Sequence, residues 1–205
     1  MKLTKKRGIV ALVVLALAAA WAGISHATNT PPFKKPRGTI EAAGLCPSFG
    51  ESQEAADILN RILPYAPSYR ISREEGERRS TDPRDIYHSS RCFIRGDGRL
   101  LTVRTEMQGG PTEKGWEKEV LDMVSAGSAE PFDAGRWAFT TSTPKVAAVY
   151  SACLPYSDAG LSTSVQLRDP VPADRLDDLR RLAEIAAGQA HEAARCTLPA
   201  DTPRK

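Results

Sequence analysis

Histidine, serine and cysteine are where acid–base or nucleophilic chemistry would begin, and this chain holds few of them in useful arrangements. Of its three histidines, His26 lies in an N-terminal apolar segment, His88 stands beside Ser89 and Ser90, and His191 falls in a C-terminal helical pattern. Side chains alternate across a strand, so His88 and Ser89 face opposite sides. His88 and Ser90 share a side, but no third group is indicated to orient the imidazole. Gly-x-Ser-x-Gly and His-Glu-x-x-His do not occur. Gly96-Asp97-Gly98 lacks the carboxylate series of a calcium loop, and Gly109-Gly110-Pro111 lacks the Gly-Lys-Ser/Thr of a phosphate loop. No catalytic residue, metal ligand or cofactor is expected, and the chain is read as a non-enzyme. The alternative is an exported hydrolase-like enzyme.

Cys46, Cys92, Cys153 and Cys196 are the only cysteines, 46, 61 and 43 residues apart. Zinc sites use close pairs such as Cys-x2-Cys, which these spacings do not supply. An even count in an exported body predicts two disulfides. Of the three connectivities, Cys46–Cys92 with Cys153–Cys196 is preferred, because each bridge then ties the end of a helix segment to a strand.

Arginine is the remaining chemistry-bearing type. Between Arg70 and Arg104 lie nine arginines against six acids, a local excess of +3. Arg91 and Arg95 share a strand face, and Arg104 sits on the polar face of the next strand with Thr102. These three form a candidate contact for an anion, such as a cell-wall polymer, lipid head groups or an acidic partner, with the loop residues Arg78 and Arg79 as further candidates.

Charge elsewhere points to export. Lys2, Lys5, Lys6 and Arg7 are four of the 28 basic residues, and no acid precedes Glu41. Without residues 1–27 the body has 24 basic against 25 acidic side chains, too neutral a balance for nucleic acid. Gly8 to Ile24 is a run of seventeen uncharged residues, between a signal-peptide core and a full membrane span. Two readings stay open. Trp21 and the basic head suit a retained single-pass anchor with the C-terminal body outside; Ser25-His26-Ala27 suits cleavage after Ala27 and secretion.

The elements that must position these residues follow from pattern. Residues 1–27 are the export or anchor segment, and 28–39, with three prolines, a stalk. Residues 40–199 form a single α+β ectodomain and 200–205 a disordered tail. A helix is expected at 52–63, with Ser48 and Glu51 as a capping box and Pro64 as its stop. Residues 67–85 read as a charged loop. Strands at 86–95 and 99–108, joined by Gly96-Asp97-Gly98, read as a hairpin. Thr112 caps a helix at 113–125 stopped by Gly127. Further strands are expected at 136–141, 145–153 and 161–168. A last helix at 173–195 has Leu176, Leu179, Ala183, Ala186, Ala190 and Ala193 as its inward stripe. A shift of 61 residues lays Cys92 on Cys153 and Pro111 on Pro172, so the body reads as two ββα halves. The expected fold is an antiparallel sheet covered on one side by two or three helices, after an N-terminal hydrophobic helix.

A basic head, one hydrophobic segment, a Pro-rich stalk, Leu45-Cys46-Pro47 before a helix, Ala152-Cys153-Leu154-Pro155 on a strand and Ala193-Ala194-Arg195-Cys196 ending the last helix make a recognisable type. It resembles the small exported or membrane-anchored proteins of unknown function of Streptomyces and related actinomycetes. The resemblance implies a disulfide-bonded α+β ectodomain and carries no active site with it. The function expected is an extracytoplasmic binding or interaction module, tethered to the membrane through the N-terminal helix and meeting an unknown envelope protein or polymer.

Overall fold

The computed structural model describes residues 15–21, 23–24, 35–78, 87–125, 128–141, 143, 145–154 and 159–202. The chain divides into two compact units, residues 1–37 and 38–205. In the first, residues 15–21 and 23–24 are helical, and Leu15, Leu17, Trp21 and Ile24 are exposed. No helix among the described residues is long and apolar enough to cross a membrane; residues 8–14 and 22 of the seventeen-residue run expected as anchor lie outside them.

The second unit is α+β, built on one seven-stranded antiparallel sheet. Its strands are β1 (Arg70–Arg78), β2 (Tyr87–Gly96), β3 (Gly98–Gln108), β4 (Ala129–Pro131), β5 (Trp137–Thr141), β6 (Val146–Ala152) and β7 (Gly160–Leu167), in the order β1-β2-β3-β7-β6-β5-β4. Two meanders therefore meet at their last strands. The seam is the β3–β7 ladder, from Leu101 opposite Leu167 to Gln108 opposite Gly160. The helices are α1 (Gln53–Ile62), α2 (Glu113–Val124) and α3 (Leu176–Ala193).

Alternation decides what each sheet face meets. On β3, Leu101 and Val103 join β6's Ala147 and Val149 and β7's Val165 and Leu167 in a core closed by α1 and α3. The opposite β6 residues, Val146, Ala148 and Tyr150, pack with Trp116 and Val120 of α2. Buried on both faces, β6 reads as the near-continuous apolar run Val-Ala-Ala-Val-Tyr-Ser-Ala. The expectation of helices on one side is thus corrected: α1 and α3 cover one face, and α2 covers part of the other. Trp116 anchors α2 there. It is 1% exposed, meets Phe139, Tyr150 and Trp137 with ring centroids 5.1, 5.7 and 6.3 Å away, and donates Nε1–H to Ser162 Oγ at 2.9 Å.

Several local expectations also change. Residues 70–78, expected as loop, form edge strand β1, its register running from Arg70 opposite Arg95 to Arg78 opposite Tyr87. Of its apolar pattern only Ile71 packs on the core, and charge on an edge strand guards against pairing with other chains. Ser48 lies in a short 3-10 turn rather than in a capping box; the cap of α1 is Ser52, whose Oγ accepts from the Ala55 N–H at 3.1 Å. Thr112 does cap α2, accepting from the Gly115 N–H, but the helix stops at Ser125 with φ 53°, ahead of Gly127. On α3 the buried stripe is Leu179, Leu182, Ala183, Ala186, Ala187 and Ala190, while Ala193 is exposed. The tail is tied at its start: the Ala152 N–H donates to the Ala200 carbonyl, and Arg136 Nε to the Thr202 carbonyl.

Both preferred disulfides are present. Cys46 and Cys92, with Cα atoms 6.1 Å apart, join the chain before α1 to β2. Cys153 and Cys196, 4.4 Å apart, join the end of β6 to the end of α3.

α1 and α3 are further tied by two ion pairs, Arg61 with Asp178 at 2.6 Å and Arg181 with Glu54 at 2.8 Å. The hydrogen bond from Arg61 holds the Asp178 carboxyl below the usual carboxylate range, against a smaller opposing effect of burial. A carboxyl depressed in the folded state stabilises it fully above the unfolded value near 3.9, and that contribution is lost as pH falls through the lower folded value. Asp178→Asn is therefore expected to reduce stability at pH 7 and to flatten the fall in melting temperature below about pH 4. Parallel acid-melting curves for parent and variant would dismiss this linkage.

Candidate cationic site

The face partly covered by α2 carries the arginines that the sequence singled out. Across the sheet run two rows. One reads Glu74, Arg91, Arg104, Ser164; the next reads Ser72, Phe93, Thr102, Gln166. Arg91 and Arg104 are direct cross-strand neighbours, a like-charge pairing that costs stability unless an acid compensates. Arg104 has that acid: it forms an ion pair with Glu106, two residues along its own strand, and lies against the Met123 sulfur of α2. Arg91 is exposed beside Glu74.

Arg95 belongs to a different environment. It sits where β2 bulges before the Gly96-Asp97-Gly98 turn, paired with Arg99. The Arg99 and Arg95 guanidinium carbons lie 4.6 and 5.8 Å from the centroid of Phe93, whose ring is 7% exposed although it stands on the polar face. The arginine stems shield the ring, and the ring holds the guanidinium planes.

Beside this pair opens a cleft of about 750 Å3 at the seam of the two meanders. The β2–β3 hairpin supplies Arg95 and Arg99, the end of β7 supplies Gln166 and Arg168, the approach to β6 supplies Lys145, and the end of α2 supplies Ser125. Backbone bonds hold these segments in place. The Arg168 N–H donates to Leu100 O at 2.9 Å and the Leu167 N–H to Lys145 O at 2.8 Å. Thr141 Oγ1, buried, accepts from the N–H groups of Lys145 and Val146 at 3.3 Å each. Arg168 Nη1 reaches Asp97 O at 3.3 Å across the hairpin turn. That turn needs Gly98, whose φ is 105° and whose missing Cβ would lie 3.1 Å from Arg168 Nη1.

Every charged side chain lining the cleft is cationic, four in all, and no acid is among them. Among the described residues none of Arg95, Arg99, Lys145 and Arg168 forms an ion pair; the pairs present use other residues. The α2 C-terminus at the rim contributes only about half a negative charge. The cleft is therefore a place of unneutralised positive potential, with hydroxyl and amide donors from Thr102, Ser125 and Gln166.

No protein-family model matches the chain, and comparisons with curated proteins and with solved structures found no match. The site has to be read from its own chemistry.

Of the three arginines predicted as an anion contact, Arg95 lines the cleft, Arg91 lies on the open face next to it, and Arg104 is engaged with Glu106. Arg78 and Arg79 have no described side chains. Lys145 and Arg168 were missed: neither stands in a run of cations, and the one local signal, the Ser-x-x-Lys spacing ending at Lys145, was overlooked. Lys145 also closes a Ser142-x-x-Lys145 spacing of the kind found in Ser/Lys acyl transfer, and Ser142 lies outside the described residues. His191 Nε2 lies 3.1 Å from the Ala152 carbonyl. His88 sits on β2 opposite Glu77. Among the described residues no group of three or more His, Cys, Asp or Glu is placed to hold a metal.

Proposed function

We propose that this chain is an extracytoplasmic binding module, held at the membrane by its N-terminal segment, whose seam cleft engages an anionic ligand of the envelope. The observation that carries the reading is the cleft lining: four cations, no acid, and ion pairs placed elsewhere on the molecule. Folded chains commonly neutralise surface cations in local pairs, as Arg61, Arg104 and Arg181 do here. Supporting the location are the basic head ahead of an uncharged run, the exposed Leu15, Leu17, Trp21 and Ile24, and two disulfides of the kind that persist in oxidising compartments.

The test is anion binding by the full chain in neutral detergent micelles, followed calorimetrically over a range of salt. Affinity should fall as salt shortens the Debye length below about 10 Å. Each cation near an anionic surface contributes on the order of 1 kcal/mol, so Arg95→Gln with Lys145→Gln should weaken binding roughly thirtyfold. Lys114→Gln, an exposed charge on α2, should leave binding near parent. Equal losses in both variants would mean diffuse attraction and would remove the cleft from the account.

A further inference from the structure

Resting on that reading, we infer that the cleft recognises a diphosphate-type group, two linked phosphoryl units, rather than a single small anion or a carboxylate. Charge is the first argument. Four uncompensated cations around one cleft leave a monoanion surrounded by residual positive charge, whereas a diphosphate brings about three negative charges in a compact unit. Shape is the second. Arg95 and Arg99 both stand over the Phe93 ring, and Arg168 donates to the Asp97 carbonyl, so each guanidinium has a contact that orients it toward the cleft rim. A fork of parallel N–H donors matches the oxygen spacing of phosphate, while Lys145 adds a point charge.

Size is the third argument. A cleft near 750 Å3 exceeds what a single phosphate fills and suits a ligand of small-molecule dimensions. The cations also come from two sides: Arg95 and Arg99 from the first meander, Lys145 and Arg168 from the second. A ligand with two charged units can meet cations of both meanders at once. The hydroxyls of Thr102 and Ser125 and the Gln166 amide then offer neutral donors to bridging or ester oxygens. No chemical step is implied; the group is held.

The group could belong to a soluble diphosphate or to a lipid head group, and the test separates these. The full chain in nanodiscs of neutral phosphatidylcholine is titrated with inorganic pyrophosphate, orthophosphate and citrate. Pyrophosphate should bind about tenfold or more tighter than either. Arg99→Lys keeps the charge and removes the fork, so it should erase the preference for pyrophosphate over orthophosphate and citrate, whereas Lys114→Gln, an exposed charge outside the cleft, should keep it. Melting curves of the variant establish that it is folded. Discs doped with an isoprenyl diphosphate assign the source: lost pyrophosphate binding means the head group occupies the cleft, and unchanged binding means the soluble form is preferred. Citrate binding as tightly as pyrophosphate, or an unchanged preference in Arg99→Lys, overturns the diphosphate inference and leaves the anion-binding module standing. Absence of binding by all three anions overturns both.

Discussion

Removing one disulfide by the double replacement Cys46→Ala and Cys92→Ala is expected to lower the melting temperature by about 12 °C. The bridge closes a loop with a sequence separation of 46, which in the chain-entropy treatment stabilises the folded state by about 4 kcal/mol. For a body of this size, 1 kcal/mol corresponds to roughly 2–4 °C. Alanine is the better replacement because both cysteines are 1% exposed, and a buried serine hydroxyl would need a partner. The second bridge, with a separation of 43, should be worth a similar amount, since the two loops do not overlap. Loss of both approaches the whole of an ordinary domain's 5–15 kcal/mol and should leave the chain largely unfolded at 37 °C. Scanning calorimetry with and without reductant reads this directly. A drop of under about 2 °C per bridge would show that packing alone holds the fold.

Trp116→Ala should cost about 3–5 kcal/mol, measured by urea unfolding followed by circular dichroism. The indole fills the space between α2 and the β5–β6 strands and is the largest fully buried side chain of the molecule's described part. Its loss removes the ring contacts with Phe139, Tyr150 and Trp137 and leaves the Ser162 hydroxyl without its donor. Trp116→Phe retains most of the packing and should cost about 1–2 kcal/mol, mainly for the lost hydrogen bond and the unfilled volume. Because Val124 and Ser125 at the far end of the same helix line the cleft, Trp116→Ala should also weaken anion binding by more than Lys114→Gln does. An alanine variant within about 1 kcal/mol of the parent would mean that α2 is only loosely held.

Much of the framework could be read from pattern, and the exceptions share a cause. The hairpin announced itself through Asp97-Gly98 between alternating runs, and the Thr112 cap and the apolar face of α3 were local signals as well. The disulfide pairing followed from where element ends met strands. β1 escaped because Arg73, Glu74 and Glu75 hide a strand whose one core contact is Ile71; an edge strand wet on most sides has little apolar period to show. β4 is three residues long, too short for any period. The face taken by α2 was not legible, because a Trp116–Val120 stripe fits either side of a sheet and only the parity of β6 decides. The cleft shows the same limit. Arg95 was singled out and Arg99 belongs to the same arginine-rich stretch, whereas Lys145 and Arg168 reach them only through the β3–β7 ladder and the Arg168–Leu100 bond. Contacts between residues so far apart in sequence leave no local trace.

The β3–β7 seam also divides the covalent map of the body. One disulfide ring closes within residues 46–92 and the other within 153–196, and neither crosses the ladder. A single backbone cut between α2 and β4 would separate the body into two pieces with no bond in common, each still internally cross-linked. In native buffer they would be held by the eight residue pairs of the ladder, the α1–α3 ion pairs and the shared core. A denaturing gel without reductant would resolve them as two bands. For a protein proposed to work outside the cytoplasm, such a cut would be repairable only by reassociation. A ligand seated on cations from both pieces would then act as the clasp that disulfides supply elsewhere, resisting separation in proportion to its concentration.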